Sequence, residues 1–421
     1  MKTLYVTLTI LLSCPALAAE LNFPDLPPPA QVETALDNNL SVLTAQSTVK
    51  LERANQRKWN SGNYEFNLRA GTAQRKVDNS GQNLKEWDVA LERPFRLPGK
   101  AQLDSSIGAE NVARANYALS DARHEAARIL LHLWFNWQRE QVQMNQWQQQ
   151  VDILKQQVLM TEKRMKSGDA PRMDMNQAQA AVAQASVSLQ QTRVRAQLAA
   201  SDLVRQFPGL SLPEQPRLVT PIPLEHDFSY WKDRVLQHNH ELEMVQAENN
   251  IQQLLAQRSR ADIMPDPTLG VRYASETGGN ERITGLYISV PLSTGLRTAT
   301  AESMSYQAEI AANREAAAKR RLEGDVYSAH TQAVSNYETW RQANDAYDSI
   351  RKNAELVTRA YSLGESSLSD TLVARRLALE AALAENIAQL DANEARYRML
   401  LDAHQLWQTD THEDEAEHHG H

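Results

Sequence analysis

The residues best suited to binding a ligand lie at the C-terminus, where residues 412–421 read HEDEAEHHGH. This segment holds four of the eleven histidines of the chain, interspersed with four acidic residues. Imidazole and carboxylate groups together suit divalent transition metals such as Zn²⁺, Co²⁺, Ni²⁺ and Cu²⁺. The pattern predicts a metal-binding tail over residues 409–421, and the alternative is a solvated acidic tail that binds nothing. The predicted ligands are His412, His418, His419 and His421.

No pattern for catalysis accompanies these histidines. The chain contains no P-loop, no HExxH, no Gly-x-Ser-x-Gly and no paired His–Cys cluster. The sequence therefore predicts a protein that is not an enzyme and carries no cofactor.

The N-terminus has the features of a secretory signal peptide over residues 1–19. An early lysine and an apolar run precede small residues, with a cut expected after Ala18 or Ala19. The only cysteine, Cys14, lies inside this segment, and the Leu-Leu-Ser before it resembles a lipobox. A proline directly after the cysteine favours ordinary cleavage, so lipidation of Cys14 is the less favoured alternative.

Apolar residues with heptad spacing form a helical pattern that ends at Gly364, and a second helical pattern begins at Asp370. Glycine can adopt the left-handed conformation that ends a helix, and Ser367 or Ser369 can cap the next helix. The segment 361–375 is therefore predicted to be the tip of a long helical hairpin.

An equivalent tip is predicted over residues 164–175, where Gly168 precedes Asp174 by the same six residues. The two glycines are 196 residues apart, and LDNNLSVLTAQ at 36–46 has its counterpart LQHNHELEMVQ at 236–246. These correspondences predict an internal duplication with repeats over 20–207 and 226–408. His238 and His240, in the second helix start, are expected at the surface rather than as metal ligands.

Each repeat contains one uninterrupted helical stretch and a pair of segments in which apolar and polar residues alternate. Lys100 to Lys166 contains no proline and one glycine, and at 1.5 Å per residue such a helix is roughly 100 Å long. Arg297 to Leu363 is equally long. The alternating segments predict β-hairpins over about 64–93 and 267–291, each with one apolar and one polar side.

Four strands cannot close a barrel by themselves, and an open edge favours association. Three chains supply twelve strands, an even number compatible with a closed transmembrane barrel. Charged residues would then face a wet lumen, and apolar residues such as Phe66, Trp87 and Leu91 would face lipid. The alternative is a pair of soluble hairpins packed on the helices.

The remaining sequence sets limits on function. A segment rich in proline, residues 208–225, predicts a linker between the repeats. No stretch after the signal peptide has the roughly 18 apolar residues of a spanning helix. A net charge of −8 without a basic cluster argues against nucleic-acid binding.

Nearly all of the mature chain resembles the TolC family of outer-membrane factors. The resemblance rests on the signal peptide, the duplication, the strand hairpin ending in VPLSTGLR, and the two tips. GESSLSDTLVAR resembles the family pattern G-x-x-S-x-x-D-V-L-x-A-Q, with Thr371 in place of valine and Arg375 in place of glutamine. The chain also resembles the heavy-metal (Czc- and Cus-type) branch.

The resemblance implies a mainly α-helical protein with a small β part, in an antiparallel coiled-coil barrel. It implies a homotrimer with a twelve-stranded barrel in outer-membrane lipid and a twelve-helix tunnel through the periplasm. The implied partners are a periplasmic adaptor and an inner-membrane RND-type transporter.

The resemblance also assigns roles to the tips, as the gate of the tunnel. It implies that Asp370 projects into the lumen as a ring of three carboxylates, and that Tyr361 bonds Asp174 of the other tip. The alternative is that Tyr361 only continues the heptad stripe into the core and Asp174 only caps a helix. Gly168 and Gly364 complete the predicted gate residues.

Three functions are compatible with these expectations. The first is an export duct for divalent heavy-metal cations, and the second is the same duct for drugs or a secreted polypeptide. The third is a soluble periplasmic coiled-coil scaffold or adaptor, although adaptors usually carry larger β-rich domains.

Overall fold

A computed structural model describes residues 23–292 and 295–407. The predicted signal peptide with Cys14, and the predicted metal tail with its four histidines, lie outside the described residues. In the first half the elements are α1 (Pro29–Asp37), α2 (Leu40–Ser61), β1 (Asn67–Lys76), β2 (Asn83–Pro94), α3 (Lys100–Lys166) and α4 (Arg172–Gln206). In the second half they are α5 (Phe228–Gln237), α6 (His240–Ala261), β3 (Thr268–Glu276), β4 (Glu281–Ser289), α7 (Gly295–Ser362) and α8 (Leu368–Asp402).

The same order of elements thus occurs twice, and corresponding helices have nearly equal lengths. α2 and α6 have 22 residues each, α3 and α7 have 67 and 68, and α4 and α8 have 35 each. The predicted long helix from Lys100 to Lys166 has the predicted bounds.

The two matched asparagines of the helix starts have the same structural role. The side-chain oxygen of Asn39 accepts a hydrogen bond from the Ser41 amide, and that of Asn239 accepts one from the Leu242 amide. Each asparagine therefore caps its helix by satisfying an amide without an intrahelical partner.

Both predicted tips are helix ends closed by a glycine with positive φ, 78° at Gly168 and 81° at Gly364. After the second tip, the Ser367 hydroxyl accepts from the Asp370 amide at 3.0 Å. Ser367 is thus the cap, and α8 begins at Leu368, two residues before the predicted start.

The long helices pack side by side along their length. α3 lies against α2 and α6 in its first part and against α4 and α8 in its second, and α7 lies against α6 and α8. The largest apolar core lies where α4 and α8 end, around Phe135, Leu203 and Leu401. Gly108 of α3 allows close approach to α2, because a Cβ there would lie 3.2 Å from the Gln56 Cα.

The connection between the halves contains no helix or strand from Phe207 to Asp227, in agreement with its proline content. It lies on α8, where the Val219 carbonyl accepts from the Gln389 and Asn393 amides at 3.1 and 2.7 Å. The prolines thus rule out a helix, and amide side chains of α8 supply hydrogen-bond donors to the linker backbone.

Candidate functional site: the sheet, the tips and a histidine cluster

The four strands form one antiparallel sheet in the order β1-β2-β3-β4. Because side chains alternate along a strand, the pairing of Leu68 with Leu91, Leu91 with Val271 and Val271 with Leu286 puts all four on one face. We call this side the apolar face. Its members are Leu68, Trp87, Val89, Leu91, Leu269, Val271, Tyr273, Leu286 and Ile288.

The apolar face is exposed to an unusual degree for side chains of this type. Leu286 has 85% of its surface exposed, Leu68 72% and Ile288 63%. Phe66, just before β1, is also exposed. A contiguous apolar surface of this kind marks contact with a membrane or another protein.

The opposite face of the sheet carries charges in pairs. Arg75 lies 2.7 Å from Glu86 and 3.2 Å from Glu276, so this residue links β1 to both β2 and β3. The hydroxyl of Tyr287 donates to Glu92 at 2.6 Å. The tyrosine ring covers Gly270, where a Cβ would lie 2.3 Å from it, so this position requires a glycine. The predicted separation into an apolar and a charged side is confirmed.

β1 and β4 form the two edges of this sheet, and within the described residues each pairs with one neighbour only. Edge strands expose unpaired amide and carbonyl groups that can pair with strands of another chain. The sheet is therefore open at both sides in a single chain.

A buried ion network joins the sheet to the helices, and sequence analysis did not predict it. Lys100, at 2% exposure, donates from Nζ to Asp266 at 2.9 Å and to the Met264 carbonyl at 2.8 Å, and lies 3.0 Å from Asp262. Asp266 also accepts from the Tyr64 hydroxyl at 2.8 Å. These contacts fix the strand ends of both repeats to the start of α3.

The structure brings the two predicted tips together. Ala178 of α4 packs with Tyr361 of α7 and Leu368 of α8 in one apolar cluster. Asp370 is exposed, and its carboxylate accepts from the Ser367 hydroxyl at 2.7 Å. Asp174 lies in the first turn of α4, one helical turn before Ala178.

The predicted bond between Tyr361 and Asp174 is not formed within the described chain. The Tyr361 side chain is buried in the apolar cluster, and its hydroxyl has no hydrogen-bond partner among the described residues. The Arg164 guanidinium lies over its ring at 4.9 Å from the centroid. The tyrosine therefore continues the heptad pattern of α7, and its ring packs in the core between the helices.

The expectation that His240 lies at the surface is wrong, whereas His238 is exposed as expected. His240 is 7% exposed and packs with His124 of α3 and His404 after α8, at centroid separations of 6.4 and 5.1 Å. His124 and His404 are 5.3 Å apart. The polar neighbours of His240 in the sequence gave no sign of this contact, because its partners come from distant parts of the chain.

The environment of His124 in this cluster favours a neutral ring. Burial, and then the positive charge of Arg128, lower the pKa of His124 to about 4. The His124 Nε2 lies 3.2 Å from the Leu401 carbonyl, and Asp402, at 3.8 Å, opposes the shift in part. His240 Nδ1 lies 3.1 Å from Glu243.

Neither the cluster nor any other group of three His, Cys, Asp or Glu side chains within residues 23–292 and 295–407 is arranged to hold a metal ion. The helices of these residues also include none that is long and apolar enough to cross a membrane.

The fold closely matches several solved structures. The outer membrane channel CmeC of Campylobacter jejuni superposes with a TM-score of 0.75, over 90% of this chain and 86% of that chain, at 15% identity. The outer membrane protein VceC of Vibrio cholerae gives 0.72 over 90% and 96%, at 16% identity. CusC, whose structures describe transmembrane channel formation, gives 0.69 over 89% and 91%, at 15% identity.

This chain has the fold of an outer-membrane channel protein. No family model and no curated protein matches its sequence. The channel fold agrees with the prediction that the protein is not an enzyme, because the matched structures include outer-membrane channels. The similarity to CusC is no greater than that to CmeC or VceC, so the fold does not single out the Cus-type branch.

Proposed function

We propose that this protein is a TolC-family outer-membrane factor, the outer-membrane channel of a tripartite efflux system. The observation that carries the proposal is the sheet, whose exposed apolar face and charged opposite face suit lipid on one side and water on the other. The channel is a passive conduit, and energy comes from partners. These are a periplasmic adaptor and an inner-membrane RND-type transporter.

The working unit is a homotrimer built from chains that arose by internal duplication. Three copies bring twelve strands and close the open edges β1 and β4 into a barrel. The helices also carry exposed apolar side chains along their flanks, and a neighbouring copy covers these side chains. Because each copy makes the same contact with the next one, the copies close into a ring. Exposed members of these flanks are Val187, Val194 and Leu198 on α4, and Ile310, Tyr327 and Leu356 on α7.

Fractionation of cells tests this assignment. The protein is expected in the outer-membrane fraction as a trimer that withstands detergent until heated, because the barrel forms only from three chains. A chain that stays monomeric and soluble in buffer without detergent would instead support the periplasmic scaffold.

The proposed cargo is divalent heavy-metal cations, and the His- and acid-rich tail is the feature that favours it over drugs or a secreted polypeptide. Deletion of the gene, followed by growth on a panel of metal salts and hydrophobic drugs, separates these cargoes. Sensitivity confined to metal salts supports the proposal, whereas sensitivity confined to drugs contradicts it.

Removal of residues 411–421 is expected to leave trimers intact and to abolish most Zn²⁺ binding to the purified protein. The reason is that α8 ends at Asp402, before the truncation, and the four tail histidines are lost. Calorimetry with Zn²⁺ measures the change. Equal binding before and after truncation would show that the tail is not a metal site.

Asp370→Ala is expected to reduce cation selectivity in planar bilayers and to relieve block by divalent and trivalent ions at least severalfold. In a trimer this exposed carboxylate occurs three times at the tips, and a ring of carboxylates attracts cations. Ser367→Ala is the matched control, because it removes the helix cap but keeps the charge. Equal effects of the two changes would assign Asp370 to capping instead of ion attraction.

A further inference from the structure

Near the tips, α3, α7 and α8 border a groove of about 1320 Å³. Among the described residues that line it, five are basic and only two, Asp169 and Glu355, are acidic. The basic ones are Lys163, Arg164, Arg351, Arg359 and Arg375. The whole chain has a net charge of −8, so the groove is a local basic site on an acidic protein.

Arg375 differs from Arg164 and Arg351 of the groove because no ion pair with a carboxylate is described for it. Arg164 pairs with Asp169 at 3.1 Å and Arg351 with Glu355 at 2.8 Å. The one described contact of Arg375 is a hydrogen bond from Nε to the Thr358 hydroxyl at 3.4 Å, and its Nη1 is buried without a partner.

The helix around Arg375 explains why its charge is uncompensated. The residues one turn away on α8 are Thr371, Leu372, Ala378 and Leu379, and none is acidic. Burial alone lowers the pKa of the Arg375 guanidinium, but an arginine remains charged in proteins. A partly buried guanidinium of this kind favours an anionic partner.

A second unpaired donor is found among the residues that line this groove. Tyr361 lines the same groove, and it lies one turn of α7 beyond Thr358, the residue that Arg375 contacts. Its hydroxyl is also buried without a hydrogen-bond partner among the described residues.

Other tyrosines of the chain show which group satisfies such a hydroxyl. Each of three hydroxyls donates to a carboxylate, at distances between 2.6 and 2.8 Å. The pairs are Tyr64 with Asp266, Tyr287 with Glu92, and Tyr397 with Asp25.

We propose that the groove binds a carboxylate group, which accepts hydrogen bonds from the Arg375 guanidinium and the Tyr361 hydroxyl. Both contacts are charge-assisted, and a planar carboxylate has two oxygens to accept them. The carboxylate comes either from a small organic anion or from an Asp or Glu side chain of a protein seated in the groove. Both donor atoms are buried, so long side chains that line the groove, such as Lys163, must move aside for the carboxylate to reach them.

The first experiment measures the ¹⁹F line width of the probe 4-fluorobenzoate in the presence of the full-length trimer. The neutral analogue 4-fluorobenzamide is the control for apolar contact. We expect broadening by the carboxylate only, at least tenfold weaker binding in Arg375→Gln, and about tenfold weaker binding in Tyr361→Phe. Arg376→Gln is the matched control, because Arg376 is exposed and has Glu380 beside it at 3.8 Å.

The second experiment identifies a protein source. A photo-crosslinking residue at Ala378, which lines the groove, is introduced in cells, and the cross-linked peptides are sequenced. Cross-links to a segment containing Asp or Glu that disappear in Arg375→Gln but persist in Arg376→Gln support a protein carboxylate.

The two experiments together decide the proposal. Probe binding that depends on Arg375 supports a carboxylate site, and additional cross-links that depend on Arg375 assign the carboxylate in cells to a protein side chain. Probe binding without such cross-links assigns the carboxylate to a small anion. Equal broadening by the two probes, together with cross-links that Arg375→Gln does not change, overturns the proposal. If Arg375→Gln does not assemble, Tyr361→Phe and the comparison of the two probes on the unaltered chain give the same decision.

Discussion

Leu286→Arg is expected to abolish assembly of the trimer in the outer membrane, whereas Ile283→Arg is expected to be tolerated. Leu286 lies near the middle of β4 on the apolar face, with 85% of its surface exposed. An arginine facing lipid near the bilayer midplane costs about 2–4 kcal/mol in a transmembrane barrel. Each trimer carries the substitution three times, so the total cost of about 6–12 kcal/mol is as large as the whole free energy of unfolding of many proteins.

Ile283 is the matched control because it lies on the same strand, three residues away, on the charged face. An arginine there faces the proposed lumen, where water and Asp, Glu and Arg side chains already occur. The measurement is the amount of heat-modifiable trimer in the outer-membrane fraction for each variant. Normal trimer from Leu286→Arg, or equal loss from both variants, would contradict lipid contact of the apolar face.

Features that depend on a repeating pattern could be predicted from the sequence. The stretch from Lys100 to Lys166 contains no proline and one glycine, and these two features were enough to predict the long helix. The alternation in the strands set which residues share a face, and Gly168 and Gly364 marked the tips because each requires a positive φ. The equivalence of Asn39 and Asn239 likewise followed from the repeat of LDNNLSVLTAQ as LQHNHELEMVQ, and each caps its helix by a local interaction.

Features that depend on contacts between distant segments could not be predicted. Lys100 looks like an ordinary first-turn residue, yet it is buried because three groups from residues 262–266 surround its ammonium group. His240 follows a helix cap among polar residues, and only the convergence of α3 and the end of α8 buries it. Tyr361 was assigned a bond to Asp174 by resemblance, whereas packing at the tips directs its ring into the core.

The histidine cluster leads to the second prediction, a loss of stability in mild acid that depends on His124. The folded protein keeps His124 neutral down to about pH 4, because burial and Arg128 oppose protonation, whereas the unfolded chain protonates it near its ordinary pKa of 6.5. Below pH 6.5 the unfolded state therefore binds more protons, and the free energy of unfolding falls as the pH falls. The loss is complete near pH 4 and amounts to about 3 kcal/mol for this one group.

His124→Gln removes the titrating group but keeps a donor for the Leu401 carbonyl. The melting temperature of the trimer, compared at pH 7.5 and pH 4.5, is expected to fall less in this variant than in the unaltered protein. His238→Gln is the control, because that ring is exposed beside the same cluster. Carboxylates also titrate in this range, but all three proteins share them, so the difference between the proteins isolates His124 together with its neighbour Asp402. An equal fall in all three would show that the protonation of His124 does not oppose folding. A smaller fall in His124→Gln alone would show that the junction of α3, α6 and α8 requires a neutral imidazole at His124.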